Sequence, residues 1–234
     1  MESGLYIVAT PIGNLGDITS RAIQVLQAVD LIAAEDTRHS RRLFQQFAID
    51  TPCFAYHEFS DRGAQERVLT RLAQGEAVAL VSDAGTPLIS DPGFRLVRDV
   101  QEAGFRVFPV PGACAAIAAL CVSGLHTDRF VFEGFLPAKA GARAARLLEL
   151  AAETSTTIFY EAPHRIVDSL QAMVEAFGGD REAVLAREIT KAYETLRRAP
   201  LAELAGFVAA DSNQQRGEIV LVVAGKPAGQ PELD

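Results

Sequence analysis

The chain has 234 residues, 49% of them hydrophobic and 22% charged, enough to bury the core of one large or two small domains and too apolar for global disorder. Its net charge of −8 argues against broad nonspecific binding to nucleic acid and against DNA as a partner, while leaving room for local cationic patches. No run of eighteen apolar residues suggests a membrane span. Met1-Glu2-Ser3-Gly4 enters an apolar strand without the basic start of a signal peptide, so the expected compartment is the cytoplasm.

In chain order, Leu5 to Ala9 reads as a strand, and Ser20 is placed to cap a helix through Val29 with Ala22, Ile23, Val25 and Leu26 on its apolar side. Leu31 to Ala34 is a second strand. Helical stretches follow at Arg38 to Phe47 and Arg62 to Gln74, then a strand at Val78 to Val81. Gly93 to Ala103 is helical, Arg106 to Val110 a strand and Ala113 to Val122 an apolar helix. This alternation predicts a mostly parallel sheet covered by helices.

Ser123 to Asp128 is a turn-rich break. Beyond it Phe130 to Glu133, Thr156 to Tyr160, Val184 to Arg187, Tyr193 to Arg197 and Glu218 to Val223 read as strands. Gly141 to Ala152, Pro163 to Phe177 and Leu201 to Ala210 read as helices. Two strands with no helix between them predict a mixed sheet with an antiparallel pair. The expected organisation is an N-terminal α/β domain over 1–124, a C-terminal α/β domain over 125–225, and a frayed tail over 226–234. Cys53, Cys114 and Cys121 are odd in number and lack a Cys-x-x-Cys pair, so neither a disulfide framework nor a metal site is expected.

Three turn-rich loops each follow a strand of the first domain: Thr10 to Asp17, Ser82 to Gly93 and Pro111 to Ala116. Loops at the carboxyl ends of parallel strands are the usual ligand site of open α/β sheets, and small residues let a ligand approach the backbone. No Gly-Lys-Ser/Thr appears and the first loop lacks G-x-G-x-x-G, so the NTPase and nicotinamide readings are weak. The loops carry little positive charge, which suits a phosphate-free ligand such as S-adenosylmethionine.

T-P-I-G-N-L-G-D from Thr10, A-E-D-T-R from Ala34, S-D-A-G-T-P-L-I-S-D-P-G from Ser82 and P-V-P-G-A-C-A-A from Pro109 resemble the ribosomal RNA small-subunit methyltransferase I family, within the tetrapyrrole methylase superfamily. E-G-F-L-P from Glu133, F-Y-E-A-P-H-R from Phe159 and R-E-I-T-K-A-Y-E from Arg187 extend the similarity from about Leu5 to Gly225. The resemblance implies a two-domain tetrapyrrole-methylase-like (class III methyltransferase) α/β fold with a cofactor cleft between the lobes. It implies S-adenosylmethionine-dependent 2′-O-methylation of a cytidine in the decoding region of 16S rRNA within the small ribosomal subunit, by a homodimer. It points to Pro11, Gly85, Thr86, Ile89, Ala115, Ala116 and Ala162 as cofactor contacts, with Thr86 where related enzymes carry an aspartate.

A ribose hydroxyl is a weak acid, so a base or a stabiliser of the developing alkoxide would help its methylation. The candidates are Glu35, Asp36, His57, Glu58, Asp83, Glu133, Glu161 and Lys191, with Lys191, Glu133 and Glu161 preferred. Asp83 and Asp91 also suit turn and helix caps, as does Asp36. Arg38, Arg41, Arg42, His164 and Arg165 are the expected RNA contacts, and Tyr56 and Phe59 are candidate stacking faces. The competing readings are a uroporphyrinogen- or precorrin-type methyltransferase and a noncatalytic ribosome assembly factor.

Overall fold

The computed structural model describes residues 1–57 and 62–227. Glu58, Phe59 and all of the expected tail except Lys226 and Pro227 lie outside the described residues. Residue contacts divide the chain into two units, Met1–Cys114 and Ala115–Asp234.

The first unit holds five strands: β1 (Gly4–Val8), β2 (Leu31–Ala34), β3 (Cys53–Ala55), β4 (Ala77–Val81) and β5 (Val107–Val110). They pair in the order β3-β2-β4-β1-β5, all parallel. Apolar side chains one residue apart point to opposite faces. Tyr6, Val8, Ile32, Ala34, Ala79 and Val81 pack against α1 (Ser20–Ala28) and α2 (Thr37–Gln46). Leu5, Leu31, Ala33, Val78 and Leu80 pack against α3 (Arg62–Ala73) and α4 (Phe94–Glu102). Burial on both faces explains why these strands read as unbroken apolar runs. It also fixes the topology that matters here. The β1-to-β2 connection passes over one face and the β4-to-β5 connection over the other, so neighbouring strands β1 and β4 send their chains in opposite directions. That is the switch point where such sheets open a ligand crevice at their carboxyl ends.

The second unit begins with α5 (Ala115–Ser123). It continues through β6 (Phe130–Phe135), α6 (Ala140–Leu150), β7 (Thr156–Glu161), α7 (Ile166–Phe177), β8 (Glu182–Arg187), β9 (Thr195–Pro200), α8 (Leu201–Ala210) and β10 (Ile219–Val223). The sheet order is β6-β7-β10-β8-β9, parallel between β6 and β7 and antiparallel elsewhere. Phe159, Leu185, Leu221 and Val223 face α6, α7 and α8, while α5 packs against β7 and β10. The boundary therefore falls at Cys114/Ala115 and not near Gly124, because an apolar helix that follows the third loop in sequence packs on the second sheet. Since β7 and β8 both run antiparallel to β10, the carboxyl ends of β6, β7 and β8 share one edge with the start of β10. Glu161 and Arg187 both sit opposite Ile219.

Three local readings shift. The α1 cap is Thr19, whose side chain accepts from the Ala22 N–H at 3.1 Å, and Ser20 is the first helical residue. The strand expected at Tyr193 to Arg197 runs Thr195–Pro200, behind a tight turn. β3 is an additional edge strand of three residues, too short to carry a periodic signal. Among the described residues no helix is long and apolar enough to cross a membrane.

Candidate functional site

In the first unit the three loops are tied to one another by backbone. The Thr10 N–H donates to the Gly85 carbonyl at 2.8 Å and the Gly85 N–H returns a bond to Thr10 at 3.1 Å, an antiparallel bridge between the turns after β1 and β4. The Ala9 N–H donates to the Val110 carbonyl at 3.1 Å, and the Thr86 hydroxyl donates to the Ala113 carbonyl at 2.9 Å, which brings in the turn after β5. Gly85 has φ +79°, and a Cβ there would lie 3.2 Å from Ile12. Leu88 (φ 75°) and Ser90 (φ 62°) also hold the left-handed region, without being glycine. Each such residue costs about 1–3 kcal/mol and persists only where its surroundings enforce it, a pattern concentrated at ligand sites.

Pro11 and Gly85 are buried, Thr86 is half-buried and Ile89 is at the surface. The Thr86 hydroxyl is committed to stapling the second loop to the third. None of the three loops contains Lys or Arg between Thr10 and Asp17, Ser82 and Gly93, or Pro111 and Cys114. A buried glycine turn without cations suits an adenosine and amino-acid ligand better than a nucleotide, whose phosphates call for cations or a helix N-terminus.

Among the described residues, the acidic candidates Glu35, Asp36 and Asp83 are already occupied. The Asp83 carboxylate accepts from the Asp36 N–H at 3.0 Å and Glu35 accepts from the Asp83 N–H at 3.3 Å. Asp36 caps α2 through the Arg38 N–H at 2.8 Å and holds the Arg38 guanidinium by two further bonds. Those bonds to Arg38 keep its carboxyl well below the usual range. Arg38 is nonetheless 87% exposed. Arg41 and Arg42 are exposed too and enter no ion pair among the described residues. Tyr56 is buried in the core against α3, which takes it away from any stacking role, and His57 is exposed.

The second unit gathers its candidates at the shared strand edge. Glu161, with 1% of its side chain exposed, accepts from the Ala162 N–H at 2.7 Å, from Arg165 Nε and Nη2 at 2.9 and 2.6 Å, and from the Ser169 hydroxyl at 2.5 Å. It therefore fixes the turn that carries Ala162. His164 is exposed on the same turn, while Arg165 is largely spent on Glu161. Glu133 lies at a β-bulge between Phe132 and Gly134 and is gripped by Arg146 at 2.5 and 2.9 Å. Ala115 and Ala116 open α5, whose Ala116 N–H donates to the Tyr160 hydroxyl at 3.1 Å.

Lys191 Nζ donates to Glu188 and to Glu218, both at 2.9 Å. Burial works against its charge, but these bonds outweigh burial and its pKa is raised, so at neutral pH it is an ammonium and not a base. Buried Arg187 braces the loop between β8 and β9, donating to Gln214, Thr195 and the carbonyls of Tyr193 and Arg216. Glu188 (φ 52°) and Thr190 (φ 67°) take left-handed backbone within it. Arg187, Glu188, Tyr160 and Gly217 were not singled out from sequence. The first two lie inside the matched R-E-I-T-K stretch, and the glycine announces itself only as a turn.

Residues 4–205 match the family described as Tetrapyrrole (Corrin/Porphyrin) Methylases. A cobalt precorrin-4 methyltransferase superposes with TM-score 0.71 at 17% identity, covering 94% of each chain. Diphthine synthase superposes at 0.65 and 15% identity, over 94% of this chain and 89% of that one. The fold and strand-end loops thus define a methyltransferase of the tetrapyrrole methylase class. A Pseudomonas aeruginosa protein called ribosomal RNA small subunit methyltransferase I is 61% identical over 99% of this chain and 83% of its own length. Its Escherichia coli O157:H7 counterpart is 55% identical, over 99% and 81%. The chain belongs to the ribosomal RNA small subunit methyltransferase I family.

Proposed function

We propose that the chain binds S-adenosylmethionine on the strand-end turns of its first unit and methylates the ribose 2′-hydroxyl of a cytidine in the decoding region of 16S rRNA. The observation that carries this reading is the Thr10–Gly85 bridge at the topological switch point, which joins two cation-free turns and is stapled to a third through Thr86. When bound, the donor supplies a methyl on a sulfonium: the 2′-oxygen takes the carbon, sulfur keeps the electron pair, and the hydroxyl proton passes to water. The residues assigned to the donor are Pro11, Gly85, Thr86, Ile89, Ala115, Ala116 and Ala162. Because the leaving thioether is neutral, alignment and stabilisation of the oxygen's growing charge are what the protein must provide. Lys191 is the residue for the second task, and Glu133 and Glu161 serve as structural acceptors.

Arg38, Arg41, Arg42 and His164 meet RNA phosphates. Arg165 contributes through the turn that it locks. Small local clusters of cations on a chain of net charge −8 fit a substrate recognised by shape, so the substrate is the small ribosomal subunit in the cytoplasm, and a homodimer doubles the contact surface. The deciding measurement is mass spectrometry of 16S rRNA digests from cells with and without the gene. A cytidine 2′-O-methyl mark should vanish on deletion and return with the wild type but not with Lys191→Ala. An intact mark in the deletion strain, or labelled methyl passing to a porphyrinoid and not to RNA, defeats the reading.

A further inference from the structure

We infer that Glu188, seated against Gly217, is the positioning residue that fixes the Lys191 ammonium for the reacting ribose oxygen. The inference rests on the reading of Lys191 given under Proposed function. An ordinary surface ion pair needs no special backbone, and this one is built into the backbone on both sides. The Glu188 N–H donates to the Glu218 carbonyl at 2.9 Å, and the Glu188 carboxylate accepts the Glu218 N–H at 2.8 Å. The same oxygen then accepts Lys191 Nζ. Glu188 reaches this arrangement with φ 52°, an unusual conformation for a residue with a long side chain.

Gly217 supplies the room. It has φ +80°, and a Cβ on it would collide with Cδ and Oε1 of Glu188. The turn carrying Lys191 is closed by the Lys191 N–H donating to the Glu188 carbonyl at 3.0 Å and by the Thr190 N–H donating to the Glu194 carboxylate at 2.7 Å. The Thr190 hydroxyl is buried without a partner among the described residues, so the loop keeps this shape despite an unmet polar group. An ammonium has three donors, and Glu188 and Glu218 engage two. The third is left for an incoming oxygen, with a direction set chiefly by Glu188, since Glu218 is 71% exposed and less constrained. The charged groups around Lys191 are Glu188, Glu218, Glu194 and Arg187, and only the first two pair with it directly.

The test is steady-state methylation of purified small subunits by the full-length chain across alkaline pH, with donor binding followed separately by calorimetry. Wild type should be active and Lys191→Ala inactive; if wild type transfers no methyl to the subunit, the functional reading itself fails. Given that control, Glu188→Gln should lower kcat at least about tenfold, as expected for a misaligned group. Donor Kd should stay within about twofold, and the alkaline limb of the kcat profile should move down by about one pH unit or more as the ammonium loses its carboxylate. Glu218→Gln should do the same more weakly. Gly217→Ala, which keeps the carboxylate but displaces it, should reproduce the Glu188→Gln profile. Wild-type kcat and an unmoved alkaline limb in Glu188→Gln overturn the inference while leaving Lys191 in place. Should both Glu188→Gln and Gly217→Ala fail to fold, carbon-13 NMR of Lys191 in the wild type decides. Titration above free lysine supports the clamp, and titration at or below it overturns the clamp.

Discussion

Glu161 and Cys53 show how surroundings set the behaviour of single side chains. Four donors converge on the Glu161 carboxylate, and removing it leaves Arg165 and the Ala162 N–H without their acceptor. Breaking a buried pair by deleting one member typically costs about 3–5 kcal/mol. Glu161→Ala should therefore lower the unfolding free energy from urea titration by an amount in that range, and a loss under about 1 kcal/mol would contradict this hub. Cys53 opens β3 beside α2, and burial pushes its thiol up to about 11. Roughly one part in a thousand is thiolate at pH 8, so iodoacetamide should modify exposed Cys121 at least about tenfold faster than Cys53. Equal labelling in a peptide map would show that Cys53 is not packed in this way. Neither environment is legible in sequence. The motif F-Y-E-A-P-H-R marks Glu161 as notable, but the three partner residues that make a candidate base a structural acceptor come from a turn and a helix whose approach only folding fixes. The left-handed backbone at Leu88, Ser90, Glu188 and Thr190 is equally hidden, because sequence signals positive φ mainly through glycine.

At the scale of elements, the staple between turns makes a sharper claim than any one residue. Gly85→Ala would keep both bonds to Thr10 only by holding alanine at φ +79°, at about 1–2 kcal/mol, with its Cβ against Ile12. The expected outcome is weaker donor binding by calorimetry, by about tenfold, with the melting temperature falling only a few degrees. Unchanged donor affinity would place the ligand elsewhere. The helix caps give a control: Thr19→Ala removes the α1 cap and should cost about 1 kcal/mol without touching donor affinity. Asp36 at the head of α2 adds a pH test. Its folded pKa is lowered, so its contribution is complete above the ordinary carboxylate range and is lost as pH falls below it toward the folded value. The protection factors of amides in the first turn of α2, exchange rates divided by their intrinsic rates at each pH, should be flat from neutrality to about pH 4 and should fall only below that. The α1 to α4 helices and four of the five parallel strands were readable because burial on two faces and alternating connections leave strong patterns. β3 was not, with only three residues at a sheet edge. Nor was the allegiance of α5, since an apolar helix pattern says that a face is buried and not which sheet buries it.

For the whole molecule, the open question of physics is how a chain of net charge −8 holds a polyanion. Repulsion from the bulk of the surface means that clusters of outward cations must carry the attraction locally. The exposed side of α2 is the clearest such place: Arg38 is tethered to Asp36 yet largely exposed, and Arg41 and Arg42 are exposed and unpaired among the described residues. Each phosphate neutralised releases a condensed counterion, so the logarithm of affinity falls with the logarithm of salt in proportion to the number of contacts, by about 0.7–0.9 per phosphate. A chain relying on only a few contacts should show a slope of modest size, about −3 to −5, when binding to small subunits is measured between low and physiological salt. Replacing Arg41 and Arg42 by alanine together should make that slope shallower by about 1.5–2 and leave donor affinity as it was. A slope unaffected by the double replacement would move the RNA contact off α2. It would leave His164 and the strand-edge loops of the second unit as the surface that meets the subunit.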